Sequence, residues 1–139
     1  MRTPDDAIGL RAYVDENKCH SAVVVGAGFI GLEIAENLLA KGLKVTVVDM
    51  ADQVMPGLFD TEMADYIRRH LQAKGIRVVT GAALEEILGD TKTTGVRTGV
   101  GAMEGDVVVL AIGVRPATAF LEDSGIEMNR GAIVVDKYQ

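Results

Sequence analysis

Hydrophobic positions along the chain change rhythm several times, and each change marks an element. Ser21–Val25 leads into an unbroken run of small and β-branched apolar residues, the pattern of a strand buried on both faces of a parallel sheet. After a turn at Gly26, Ile30, Ile34 and Leu38 recur every four residues, and Lys41 and Gly42 follow, so a helix with a cationic, glycine-marked end is expected. Residues 45–48 form a second strand ending on Asp49, and the polar, proline-containing stretch 51–59 reads as a loop. Asp60 then caps a helix that shows Met63, Ile67 and Leu71 on one face. Glu62 lies in its first turn, Arg68, Arg69 and Lys74 come later, and Gly75 lies past its end, in accord with the helix macrodipole. Ahead of all these, Thr3, Pro4 and Asp6 open a helix that runs to about Asn17.

Residues 77–80 give a third strand, and 84–104 a meander of weak strands punctuated by Gly95, Gly99 and Gly101. The unbroken apolar pattern returns at 107–112, a central strand ended by Gly113 and Pro116. A short helix at 117–123 and a strand at 132–136 complete the expectation. This order is that of an α/β fold: an open parallel sheet with flanking helices, right-handed crossovers and a small antiparallel meander. Such sheets bind ligands beyond the carboxyl ends of their strands, which directs attention to Gly26, Asp49 and Gly113.

Composition narrows the partners. With 139 residues, 48% hydrophobic and 24% charged, the chain has the make-up of one folded domain. Fourteen Lys and Arg against twenty Asp and Glu give a net charge of -6, so neither nucleic acid nor an anionic membrane surface is an expected partner. The longest apolar stretch, 22–32, is well short of the ~20 residues needed to cross a bilayer. A single cysteine, Cys19, cannot form an internal disulfide and no secretory segment follows Met1, which fits a reducing, cytoplasmic setting. Cys19 reads as a packed residue. His20 and His70 lie far apart with no ligand spacing around them, so no metal site is expected.

The chemistry concentrates in Gly26-Ala27-Gly28-Phe29-Ile30-Gly31, a dinucleotide fingerprint set between an apolar strand and an amphipathic helix. Gly26 permits the tight turn, Gly28 lets a pyrophosphate approach the backbone, and Gly31 lets the helix pack close to the sheet. The N-terminal end of the helix then holds the phosphates without Lys or Arg. Asp49, at the end of the second strand, is placed to accept hydrogen bonds from both ribose hydroxyls and to repel a 2′-phosphate. Met50 follows it, with no Arg adjacent, and NADH is expected over NADPH. A methyltransferase using S-adenosylmethionine also has a glycine loop and an acid after strand 2, but its loop normally lacks the third glycine found here as Gly31.

Val23-Val-Val-Gly-Ala-Gly-Phe-Ile-Gly-Leu-Glu-Ile-Ala-Glu36, Gln53-Val-Met-Pro56 and Ala111-Ile-Gly-Val-Arg-Pro116 together resemble the NADH-binding domain of the FAD-dependent pyridine nucleotide-disulfide oxidoreductases. The likeness is strongest to the coenzyme A-disulfide reductase and NADH oxidase branch. It implies a Rossmann-like fold and one NAD(P)H-binding domain over 1–139, inserted in a larger FAD-containing protein. Residues 1–19 and 132–139 would be the crossings to an FAD domain outside this chain, with the chain ends close together, and a further domain would make the parent a homodimer. Residue by residue, the resemblance implies that Gly26, Gly28 and Gly31 hold the pyrophosphate and Asp49 the ribose. Phe29 would gate the flavin face, Glu33, in the first helical turn, would lie near the nicotinamide and flavin, and Ile112 and Gly113 would line the nicotinamide ribose, with close backbone approach explaining the glycine. Residues 53–56 would flank the adenine. Hydride would pass from NADH to FAD and on to a disulfide, persulfide, peroxide or oxygen, while the isolated domain would bind NADH and turn over nothing. The alternative is a stand-alone module that senses NAD.

Overall fold

The computed structural model describes residues 3–139; Met1 and Arg2, at the start of the expected first crossing, lie outside the described residues. Helix α1 (Pro4–Glu16) opens on a reciprocal cap: Thr3 Oγ1 accepts from the Asp6 N–H, and Asp6 Oδ2 accepts from the Thr3 N–H. There follow β1 (Ser21–Val25), α2 (Phe29–Ala40), β2 (Lys44–Val48), α3 (Thr61–Ala73) and β3 (Arg77–Val79). The meander is β4 (Leu84–Gly89), β5 (Thr93–Thr98) and β6 (Gly101–Glu104), and it leads into β7 (Val107–Leu110). A 3-10 turn at Ala119–Leu121 and a hairpin of β8 (Met128–Asn129) and β9 (Ala132–Ile133) come last.

Four parallel strands stand in the order β3-β2-β1-β7, so β1 is paired on both sides, Val23 opposite Thr46 on one and Val108 on the other. Its alternate residues enter different cores. Ala22 and Val24 pack with Val14, Ala35, Leu38 and Ala64 of the helices, while Val23 and Val25 pack with Ala82, Val96 and Met103 on the side of the meander. Enclosure on both faces is why β1 is apolar at successive positions, and each enclosed valine contributes about 1.5–2 kcal/mol of transfer free energy. Helices thus cover one face of the sheet and the antiparallel β4-β5-β6 sheet the other.

The elements match the pattern of the sequence except at places where apolar residues face outward. In α2 the buried stripe is Gly31, Ala35 and Leu38; Ile34 only flanks it and Ile30 is exposed, because small residues let the helix lie against β1. In α3 Ala64 is the buried residue, with Ile67 and Leu71 partly buried and Met63 at the rim. The strand expected over 107–112 ends at Leu110, because its partner β1 ends at Val25, where Gly26 turns away; one further bond joins the Ala111 N–H to the Val25 carbonyl. The helix expected over 117–123 is a single 3-10 turn. Its Phe120 is exposed, and with no buried face a nucleus of one turn is not extended. The strand expected over 132–136 has two residues, pairs with β8 instead of the parallel sheet, and leaves Val134 and Val135 exposed. No helix among the described residues is long and apolar enough to cross a membrane.

Candidate functional site

The carboxyl ends of β1, β2 and β7 bring three connections together, and the glycine loop is the innermost. Gly26 has φ +110°, and a Cβ there would lie 2.3 Å from the Ala111 carbonyl oxygen; a Cβ on Gly31 would lie 1.9 Å from the carbonyl oxygen of Gly26. Both are glycine because backbone passes against them. Gly28 is different. Its φ of -84° and ψ of -175° suit any residue, and an added Cβ would meet nothing within 4 Å. Neither the turn nor the packing of the chain requires a glycine there.

Helix α2 starts at this point, and its N-terminus differs from the other two. Thr3 and Asp60 cap α1 and α3 with side-chain oxygens, and both helices carry acids in the first turn. The cap of α2 is Gly28, which offers no side chain, and its first turn holds no acid. The first-turn amides of Phe29, Ile30 and Gly31 have no acceptor within the helix, so they present partial positive charge at the loop. Glu33 is exposed and lies just past that turn, not within it as the sequence suggested.

Asp49 reaches the same loop from the end of β2. Its Oδ2 accepts from the Ala27 N–H at 2.6 Å and its Oδ1 from the Ala51 N–H at 2.8 Å. Its backbone is held as well, the N–H donating to the Val79 carbonyl and the carbonyl accepting from the Ala82 N–H. A carboxylate oxygen has two lone-pair sites, so each oxygen keeps one for a hydroxyl. Residue spacing places Asp49 beside the glycine loop; that it also braces the loop was not legible in the sequence.

Around these groups the rim is apolar and open. Phe29 is 63% exposed, Met50 77% and Ile112 71%. Gly113 has φ +124°, a conformation that favours glycine, and an added Cβ would meet no atom of the chain within 4 Å. The expectation that all of 53–56 flank an adenine is corrected: Val54 and Met55 are buried, and Pro56 is the exposed one. Gln53 spans the loop, its Nε2 donating to the Phe59 carbonyl and its Oε1 accepting from Thr61 Oγ1. The Met55 N–H donates to the Ala27 carbonyl at 2.9 Å.

At the opposite edge of the sheet, Asp106 Oδ2 accepts from the His20 N–H, the Ser21 N–H and the Ser21 hydroxyl. The bond from the His20 amide, reinforced by those from Ser21, holds its carboxyl below the usual range against a smaller effect of burial. Cys19 lies close by, its thiol pushed up by burial first and by the Asp106 carboxylate second, the reverse of what a nucleophile needs. Among the described residues no group of His, Cys, Asp and Glu is arranged to hold a metal ion.

All of residues 1–139 match the sequence profile of the pyridine nucleotide-disulphide oxidoreductases. The chain belongs to that family. Among pyridine nucleotide-disulphide oxidoreductases it is 38% identical over 137 residues to the NADH oxidase of Methanocaldococcus jannaschii, covering 99% of this chain and 31% of that protein. Relatives in the family also include a coenzyme A-dependent NAD(P)H sulfur oxidoreductase of Pyrococcus abyssi. Among solved structures, the NAD-dependent persulfide reductase from A. fulgidus superposes with a TM-score of 0.90 at 38% identity, over 99% of this chain and 25% of that one. The water-forming NADH oxidase of Lactobacillus brevis, solved with NADH, superposes with a TM-score of 0.81 at 30% identity, over 95% of this chain and 29% of that one. An engineered variant of the latter, solved with NADPH, gives 0.80 at 30% identity over the same shares of each chain. The chain spans about a third of the length of the curated relatives it matches.

Proposed function

We propose that this chain binds NADH across the carboxyl edge of its sheet, as the nucleotide-binding part of a longer FAD-containing oxidoreductase. The observation that carries this reading is Gly28. Its backbone conformation and its surroundings within the chain tolerate any side chain, so the space above it serves something that is not part of the chain. An uncapped, acid-free helix end beside it suits a pyrophosphate. Gly26, Gly28 and Gly31 would hold that group and Asp49 the adenosine ribose, with Met50 beside it. Phe29, Ile30, Glu33, Ile112 and Gly113 would face the nicotinamide half. Bound nicotinamide supplies a hydride, which the flavin of the parent protein would receive. This chain orients the nucleotide and shields it with the apolar rim.

The engineered NADPH-bound relative supports the choice of NADH. Its replacements fall at a glycine, at an aspartate eighteen residues later, at the next two positions, and at a proline five residues beyond the last of these. Gly31, Asp49, Met50, Ala51 and Pro56 stand at the same separations here. The carboxylate of Asp49 repels a 2′-phosphate, and Met50 supplies no cation to receive one. Calorimetric titration with NADH and NADPH tests the reading. NADH should bind the tighter, and Asp49→Ala should reduce that preference by about tenfold, the worth of one charge-assisted hydrogen bond. Equal affinities in the unaltered chain would remove Asp49 from its role.

The acceptor side of the reaction lies outside this chain. A disulfide, persulfide, peroxide or oxygen is the proposed final acceptor of the parent, which we take to be a homodimer whose FAD domain joins this chain at 1–19 and 132–139.

A further inference from the structure

The connection from β2 to α3 does more for the glycine loop than a linker requires. Ala27, between the first two glycines, is fully buried, and a buried peptide group needs partners for both its N–H and its carbonyl. Both come from this one connection: Asp49 Oδ2 takes the N–H at 2.6 Å, and the Met55 N–H donates to the carbonyl at 2.9 Å. Met55 does so from φ +52°, a left-handed conformation that a long side chain seldom adopts, while only 5% exposed. Strain of that kind persists where the surroundings enforce it. Here they do: Val54 is fully buried in the helix-side core, Gln53 ties the far end to Phe59 and Thr61, and the Gly81 and Ala82 amides close on the carbonyls of Ala51 and Asp49.

We propose that Asp49, Val54 and Met55 form a bracket that sets the glycine loop in its nucleotide-accepting shape before any nucleotide arrives. Val54 and Met55 are then positioning residues that never touch the ligand. The ligand role of the bracket rests on the reading of this loop as a dinucleotide site; the bracket itself rests on the contacts to Ala27. A residue that only shapes the loop acts on NADH and NADPH alike, since both carry the same pyrophosphate. Asp49 alone of the three also discriminates between them.

Amide hydrogen exchange on the nucleotide-free chain, followed by titration with each nucleotide, tests this. In Val54→Ala the Ala27 amide should exchange roughly fivefold faster relative to the Val24 amide of β1, and affinities for NADH and NADPH should fall by the same factor, also about five. Val45→Ala removes the same two methyl groups from an equally enclosed valine of β2 and should leave the ratio of Ala27 to Val24 exchange unchanged. Identical ratios in the two variants would overturn the bracket. Should Val54→Ala not fold, Asp49→Ala gives the decision: it should release the Ala27 amide with no nucleotide present, whereas a residue that only reads ribose would leave that amide protected. Bracket-type exchange in a chain that binds neither nucleotide would refute the dinucleotide reading and leave the bracket standing. Unaltered Ala27 exchange with tight NADH binding would refute the bracket alone.

Discussion

Three glycines of one motif occupy their places for different physical reasons, and the difference is measurable. Gly31→Ala would press a Cβ against the carbonyl of Gly26, so that the start of α2 must shift, and the expected cost is about 1–3 kcal/mol of stability, read by denaturant unfolding. Gly28→Ala has ordinary backbone angles and open space, so its unfolding free energy should change by less than about 1 kcal/mol. NADH affinity should nevertheless fall by about tenfold, the new methyl standing where the phosphates approach. A stable Gly28→Ala chain with undiminished affinity would take the pyrophosphate away from this loop. Spacing along the sequence marked these glycines and Asp49, because residue type and separation carry that information. The pairing of Ala27 with Met55 was hidden, since a backbone amide leaves no trace in the identity of its residue.

Individual elements were legible wherever they are enclosed. A strand covered on both faces selects small and β-branched residues at successive positions, so β1, β2 and β7 announce themselves. Residues 112, 117–123 and 134–136 misled for the converse reason: Ile112, Phe120, Val134 and Val135 are exposed, and a pattern rule takes apolar to mean inside. Asp106 is an element-scale device that pattern cannot reveal, joining the turn before β7 to the start of β1 across 85 and 86 positions of sequence. Its carboxyl is held below the usual range in the folded chain. The unfolded chain therefore binds the proton more readily, and the resulting stability is present above the ordinary Asp value near ~3.9 and is lost as pH falls through the folded value. Unfolding measured from pH ~6 downward should show a smaller acid loss in Asp106→Asn than in the parent sequence. The difference should stay below about 1 kcal/mol, because the group is largely exposed.

On the scale of the whole molecule, the helices, sheet and meander form a platform whose carboxyl edge and C-terminal segment are lined with exposed apolar residues, among them Phe29, Ile112, Val114 and Phe120. A longer parent would cover part of that surface, in keeping with a chain that spans about a third of its relatives. Purified and free of flavin, the chain should bind NADH and leave it reduced in air, with the nicotinamide absorbance constant over hours. Steady oxidation would mean that an acceptor site lies within these residues after all. The strand order β3-β2-β1-β7 also has a consequence for synthesis. β1 and β2 emerge from the ribosome in close succession, but the second neighbour of β1 is not made until residues 107–110. Until then one edge of the innermost strand has no partner, and any nascent chain shorter than that presents an open strand edge to chaperones and to its neighbours on the same message.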